Sequence, residues 1–303
     1  MSQLVDFHSH FFSRAFFDAL NAGSPLPGEP EVRLQGVAAR AQIELPPDDP
    51  CLLAERWIQD MDSHGVGHMV TFASLTSEAE SVLKGVQHGA GRLTGFVVLD
   101  PTQKDIGKKL EGLFGTGNFK GALFFPALHG YRADGPEMQG LLEQLSAFKT
   151  LIVVHCGLLR IGLRDAFGLP KHYAIHKANP LHLIPVADRH PGLNFIIPHF
   201  GAGFFRELLM AGSQCPNIHV DTSSSNNWMD TQPERLTLPD VFERTLSVFG
   251  AQRVLFGTDS STFPRGWRRS VLTSQREALG ACGLKEEQRQ MVLGGNASRL
   301  LGL

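Results

Sequence analysis

The chain has 303 residues, 42% hydrophobic and 19% charged, with a formal net charge of −2. That balance suits a globular protein with a large core, and it excludes the basic footprint of a nucleic-acid binder or of a protein drawn to anionic membranes. Its 4 cysteines (Cys51, Cys156, Cys215 and Cys282) are scattered without a C-x-x-C pair, so reduced thiols are expected rather than a disulfide framework.

No basic stretch followed by an apolar leader is legible, and no run is long and apolar enough to span a bilayer. A cytoplasmic protein acting on a small molecule, with neither nucleic acid nor membrane as partner, is the expectation.

Residues 4–8 read as a short apolar strand that runs into V-D-F-H-S-H. Strict alternation places Asp6, His8 and His10 on one face. Two imidazoles two residues apart on a strand can meet one metal ion, with a carboxylate one step behind to orient one of them. The bland alternative is an edge strand carrying surface histidines; what lies downstream weighs against it.

Apolar runs of strand length recur at 68–73, 93–99, 120–125, 150–155, 193–198, 217–221 and 253–257. They are nearly continuous in hydrophobicity, as parallel strands buried on both faces require. Helical stripes lie between them: 52–64, 78–88, 106–114, 137–148, 181–190, 204–211, 239–249, 267–281 and 286–293. The stripe at 52–64 stops at Gly65, a residue suited to a left-handed helix end. Eight strands alternating with helices predict a single α/β domain over 1–303, a (β/α)8 TIM-type barrel. A doubly wound open sheet is the rival, but no glycine-rich dinucleotide fingerprint follows the first strand.

Two excursions interrupt the repeat, 11–50 after the first strand and 157–179 after the fifth. Both leave the C-terminal ends of strands, the face where barrels build their sites, so both are expected to wall a pocket. The first would serve nearly as well as an oligomer-forming insertion, and a homo-oligomer is compatible with the sequence.

The chemistry-bearing residues gather on the same ends. His8 and His10 close the first strand, His155 the fifth, His199 follows the sixth and Asp259 the eighth. In a closed barrel these ends converge on one mouth. Imidazoles together with a carboxylate suit Zn2+ or a similar divalent transition metal.

These residues sit in motifs that resemble the amidohydrolase superfamily, and within it the amidohydrolase-related branch that contains aminocarboxymuconate-semialdehyde decarboxylase. The carriers are V-D-F-H-S-H, V-V-H-C-G at 153–157, P-H-F-G-A-G at 198–203, G-T-D at 257–259 and the tail G-N-A-S-R-L-L at 295–301. Each is weak singly, and their order and spacing along the whole chain are specific. The resemblance implies that His8, His10, His155 and Asp259 are metal ligands. It places His199 beside the water or substrate, and Asp6 at a position supporting the first-strand histidines. Relatives with two metals carry a lysine or a glutamate at the end of strand four. Here that end is Phe124-Phe125-Pro126, and Lys120 lies at the wrong end, so one divalent ion is expected, Zn first and Mn or another transition metal next. The early first strand leaves no room for the small β-sandwich of many relatives, which agrees with the compact branch.

A bound divalent ion brings its water toward a pKa of about 7 and polarises a carbonyl. Asp259 is then the proton acceptor and donor, with His199 orienting the water or stabilising an oxyanion. Candidate substrate contacts, all in loops after strand ends, are Arg160, Arg164, His129, Trp228, Phe263, Arg265 and Trp267. The leading expectation is hydrolysis of a small lactone, amide or ester that bears a carboxylate. The alternative is non-oxidative decarboxylation of an unsaturated or aromatic acid, with Trp228, Trp267, Arg160 and Arg164 as clamps. A non-catalytic, metal-stabilised barrel is the remote third.

Overall fold

Eight short runs rich in Val, Ile, Leu and Phe pair side by side, because only neighbouring strands satisfy backbone groups buried on both faces. In the computed structural model, which describes residues 3–89, 91–115, 117, 119–224 and 227–303, they are β1 Val5–His10, β2 His68–Ala73, β3 Leu93–Val98 and β4 Phe119–Phe124. The series continues with β5 Leu151–Val154, β6 Phe195–Ile197, β7 Ile218–Asp221 and β8 Val254–Leu255. All pair in parallel and in sequence order. The ends of the sheet meet through Phe7 N–H to Phe256 O (2.9 Å), Asp259 N–H to His8 O (2.9 Å) and His10 N–H to Ser260 O (2.7 Å). The predicted (β/α)8 barrel is therefore the fold, and the bonds that join its first and last strands also set His8, His10 and Asp259 side by side.

The helices are α1 Arg14–Ala22, α2 Pro30–Ala41, α3 Pro50–His64, α4 Ala79–His88, α5 Ile106–Phe114, α6 Pro126–His129 and α7 Pro136–Ser146. The remainder are α8 Gly162–Ala166, α9 Ile184–Arg189, α10 Phe205–Gln214, α11 Leu238–Phe249, α12 Arg269–Ala281, α13 Glu286–Gln290 and α14 Asn296–Leu301. None of the described helices is long and apolar enough to cross a membrane. α3 shows why such segments start and stop where they do. Asp49 accepts the Cys51 N–H at 2.9 Å, Pro50 opens the first turn, and Gly65 closes the last with φ 69°.

Two predicted helices are broken. The stripe at 181–190 begins as a 3-10 turn, Pro180–Leu183, before α9, since Pro180 and Pro185 both lack a backbone donor. The stripe at 286–293 passes from α13 into a π-turn, Met291–Gly295. There a Cβ on Gly294 would lie 1.9 Å from the Gln3 carbonyl oxygen, so only glycine admits the approach.

The core has two layers and an annex. Val5, Phe7, Phe72, Phe96, Val153 and Ile196 fill the barrel interior, while Trp57, Phe195, Phe242, Phe249 and Phe256 pack strands against helices. The annex was not legible in sequence. Segment 11–50, read as an excursion without elements of its own, folds into α1 and α2. Their Phe16, Phe17, Leu20, Leu34 and Val37 close around Phe167 and Leu169 of the 157–179 segment. The two insertions pack on each other and roof the barrel mouth.

Candidate metal centre and pocket

Strict alternation along β1 does not survive its pairing with β2, whose register shifts between Asp6 and Ser9. Past this irregularity Phe7 meets Phe96 inside the barrel, and His8 meets Phe72 there with ring centroids 4.7 Å apart. Asp6 turns the other way, into the layer between strands and helices. Its carboxylate accepts from Trp267 Nε1 (2.7 Å), Thr258 Oγ1 (2.5 Å) and the His8 backbone N–H (3.0 Å). Asp6 thus supports β1 through its backbone and does not share the face of the two histidines, as alternation had predicted. Burial raises its carboxyl to about 6, against the opposing pull of these donors.

Asp221, at the end of β7, is the carboxylate that orients an imidazole. Its Oδ2 lies 2.5 Å from His8 Nδ1, and its Oδ1 accepts the Ser223 N–H at 2.6 Å. Asp221 is fully buried; burial alone would raise its pKa, but the charge and hydrogen bond of His8 outweigh that and hold it below the usual carboxylate range. An ionised Asp221 keeps a proton on His8 Nδ1, so Nε2 is the nitrogen turned toward an ion. His10 Nδ1 lies 2.7 Å from Ser74 Oγ, a hydroxyl that can donate or accept there.

Both Nε2 atoms face one oxygen. Asp259 Oδ1 is 3.2 Å from His10 Nε2 and 3.8 Å from His8 Nε2. His8, His10 and Asp259 each offer a donor atom within 4.8 Å of the others, and they are the one such group among the described residues. Asp259 holds a left-handed backbone, φ 60°, uncommon for a residue other than glycine. Burial would raise its pKa, but the His10 hydrogen bond and the charges of His199, His10 and His8 together hold it well below the usual range.

The other two histidines complete the mouth without joining that trio. His199 sits with its ring 4.8 Å from His8 and 5.1 Å from His155. His199 Nδ1 lies 2.8 Å from Ser223 Oγ, which can donate or accept, and 3.1 Å from the Ser223 carbonyl oxygen, which can only accept. Burial, then the neighbouring His8, lowers its pKa to about 4. His155 is 4% exposed, its Nδ1 has no protein partner, and burial followed by His199 and His8 pushes its pKa well down. A neutral, buried imidazole with an orphaned nitrogen, beside two further imidazoles and an ionised carboxylate, suits a divalent cation that displaces their protons. The end of β4 offers no further ligand: Phe124 is buried in the outer layer, Phe125 faces the cavity, and Lys120 is exposed at the opposite end of the strand.

Above these residues opens a cavity of about 620 Å³. Phe12, Phe16 and Leu20 of the first insertion wall one side, and Leu159, Ile161 and Leu163 of the second another. Arg160, Arg164 and Arg265 line it as the sequence suggested, and Arg40 of α2, which the sequence did not single out, joins them. Asp259 is the one acidic residue in that lining.

Four other candidates are absent from it. His129 faces Asp100 across 3.8 Å in a neighbouring depression. Trp228 is buried against Phe200 and Phe205, and Phe263 against Trp57 beneath the Arg56 guanidinium. Trp267 spends its one donor on Asp6. Large rings in loops after strand ends looked like clamps, but hydrophobic burial claims them first.

An eight-stranded barrel with imidazole nitrogens and a carboxylate at its C-terminal mouth defines the broad class, a metal-type (β/α)8 barrel. The chain belongs to the amidohydrolase family, whose sequence profile matches residues 5–303. No curated protein sequence matches it. Among solved structures it is similar to 5-carboxyvanillate decarboxylase of Sphingomonas paucimobilis, with TM-score 0.67 and 15% identity over 100% of both chains. A zinc-bound amidohydrolase of Burkholderia multivorans gives TM-score 0.65 and 17% identity, again over 100% of both. A probable 2-pyrone-4,6-dicarboxylic acid hydrolase of Acinetobacter baumannii gives TM-score 0.60 and 14% identity, over 99% of this chain and 100% of that one.

Proposed function

We propose that the protein is a metal-dependent hydrolase of small carboxylated lactones, amides or esters, with one divalent ion held by His8, His10, His155 and Asp259. The observation that carries this reading is the convergence of His8, His10 and Asp259 donor atoms within 4.8 Å at the floor of an arginine-lined cavity. Zinc is the favoured ion, in keeping with nitrogen and oxygen donors and with the zinc-bound Burkholderia relative. When bound, such an ion supplies Lewis acidity toward a carbonyl and acidity to a water molecule.

The chain's own residues do the rest. Asp259, ionised and 22% exposed to the cavity, takes a proton from the attacking water and returns it to the leaving group. His199, neutral at pH 7, turns Nε2 to the mouth and orients the water by accepting a hydrogen bond or, with the proton on Nε2, stabilises an oxyanion. Arg40, Arg160, Arg164 and Arg265 outnumber the lining carboxylate and favour an anionic substrate gripped away from the reacting carbonyl. Phe12, Phe16, Leu20, Leu159, Ile161 and Leu163 give the cavity apolar walls beside those arginines.

A second reading, decarboxylation of an unsaturated or aromatic acid, draws on the same arginines, on Phe12 and Phe125 as flat walls, and on the likeness to the Sphingomonas decarboxylase. It loses the Trp228 and Trp267 clamps, which lie outside the cavity. Screening small lactones, amides and carboxylated aromatics with CO2 monitored separately discriminates the two. Hydrolysis gives uptake of water without CO2; stoichiometric CO2 without water uptake would replace the hydrolase with the carboxy-lyase.

A further inference from the structure

Glu78 is a wholly buried carboxylate that the chemistry above does not use. It closes the 3-10 turn Thr76–Glu78 after β2 and reaches sideways under the barrel mouth. Oε1 accepts the Ser13 N–H at 2.6 Å, and Oε2 accepts the Ser74 N–H at 2.7 Å. These loops are remote in sequence, and what they have in common is His10. Ser74 Oγ lies 2.7 Å from His10 Nδ1. Phe12, immediately before Ser13, stacks on the His10 ring with centroids 4.9 Å apart and planes 21° apart.

Phe12 needs such an anchor. Its φ of 45° is left-handed, a conformation that costs a bulky residue of order 1–3 kcal/mol and persists only where neighbours impose it. The bond from the next residue's N–H to a buried carboxylate imposes it. Besides a tilted ring contact with Phe72, His10 is held at its far nitrogen by Ser74 and on its ring face by Phe12, and each of these two traces within one residue to an oxygen of Glu78. Ser13 also leads into α1, which carries Phe16 and Leu20 to the cavity wall.

We infer that Glu78 is a positioning residue for the metal centre: by gripping the Ser13 and Ser74 amides it fixes the ring orientation of His10 and locks the α1 wall to that imidazole. This rests on the reading of His10 as a metal ligand, so the test includes a readout on metal-free protein.

Glu78→Gln preserves shape, but its amide accepts from only one of the two N–H groups and turns its own donor against the other. Ser74→Ala removes the His10 contact and leaves the Ser74 N–H in place. Metal-free wild type, both single variants and the double variant are titrated with Zn2+ and Co2+, and histidine 15N resonances are recorded without metal. Each single variant is expected to weaken ion binding roughly tenfold or more, as loss of an outer hydrogen-bond partner typically does. The double variant is expected to bind no worse than about the weaker single, because both act along one path. The wild-type His10 Nδ1 signal should carry the shift of a nitrogen hydrogen-bonded to Ser74 Oγ, and that shift should be lost in both variants.

Wild-type affinity with an unaltered His10 signal, in a Glu78→Gln protein of lowered stability, would make Glu78 merely structural and overturn the inference. So would fully additive losses in the double variant. Should Glu78→Gln fail to fold, Ser74→Ala decides alone, and wild-type affinity there overturns it. A wild-type protein that binds no ion would instead refute the metal reading, and the 15N signature would still decide the role of Glu78.

Discussion

Replacing Asp221 with Asn isolates what holds His8 ready for an ion, because the change conserves volume at a site with no exposed surface. The carboxylate serves two donors at once, His8 Nδ1–H at 2.5 Å and the Ser223 N–H at 2.6 Å. An amide can serve one. If its oxygen faces Ser223, its NH2 faces His8 and drives the imidazole proton onto Nε2, the atom that points at Asp259. If it is flipped, His8 keeps its tautomer but a buried N–H is opposed to the Ser223 N–H, which costs about 1–3 kcal/mol. Either route agrees with the roughly 10–100-fold loss of ion affinity seen when an outer partner is removed, about 1.4–2.8 kcal/mol. Competitive titration of metal-free protein with Zn2+ against a chromophoric chelator at neutral pH reads this directly. Affinity equal to the wild type, with the variant folded, would show that Asp221 does not set the His8 tautomer and that the donor geometry described above is wrong.

Asp259→Asn should retain more metal than His8→Ala yet lose roughly 10²–10⁴-fold in kcat, since an amide coordinates weakly and cannot take a proton; near-normal turnover would remove Asp259 from the mechanism. Arg160→Ala and Arg164→Ala, which line the cavity, should raise KM more than they lower kcat; unchanged KM on the true substrate would send those arginines back to the surface. The pH dependence of stability should carry the mark of Glu78, whose carboxyl burial raises from 4.5 to about 7. Its folded value exceeds its unfolded one, so metal-free protein should lose stability as pH rises through that window, by up to about 3 kcal/mol from this group, and Glu78→Gln should flatten the slope. Equal slopes in urea unfolding across the window would contradict the assignment.

The fold was legible because eight strands and their helices repeat one pattern, and buried parallel strands leave continuous apolar runs such as Val153-Val154 ahead of His155. The gathering of His8, His10 and Asp259 was legible through strand ends alone. What escaped depends on contacts remote in sequence. The irregularity between Asp6 and Ser9 reverses which side Asp6 faces, and no local signal marks it. Asp221 did carry a signal, an acidic residue at the C-terminal end of a strand, the same kind of position that singled out Asp259. Ser74 and Ser223 carried none, since a serine after a strand is ordinary until a histidine nitrogen is found beside it. The same holds for the loops: Arg265 and Trp267 are near neighbours in sequence, yet one lines the cavity and the other is buried on Asp6.

The most direct test of the central claim is the ion content of the purified protein by elemental analysis, beside His8→Ala and His10→Ala variants shown to be folded. One divalent transition-metal ion per chain in the wild type, and little or none in either variant, is the expected result. Two tightly bound ions per chain, or metal retained in full by both variants, would contradict a single centre built on His8, His10 and Asp259.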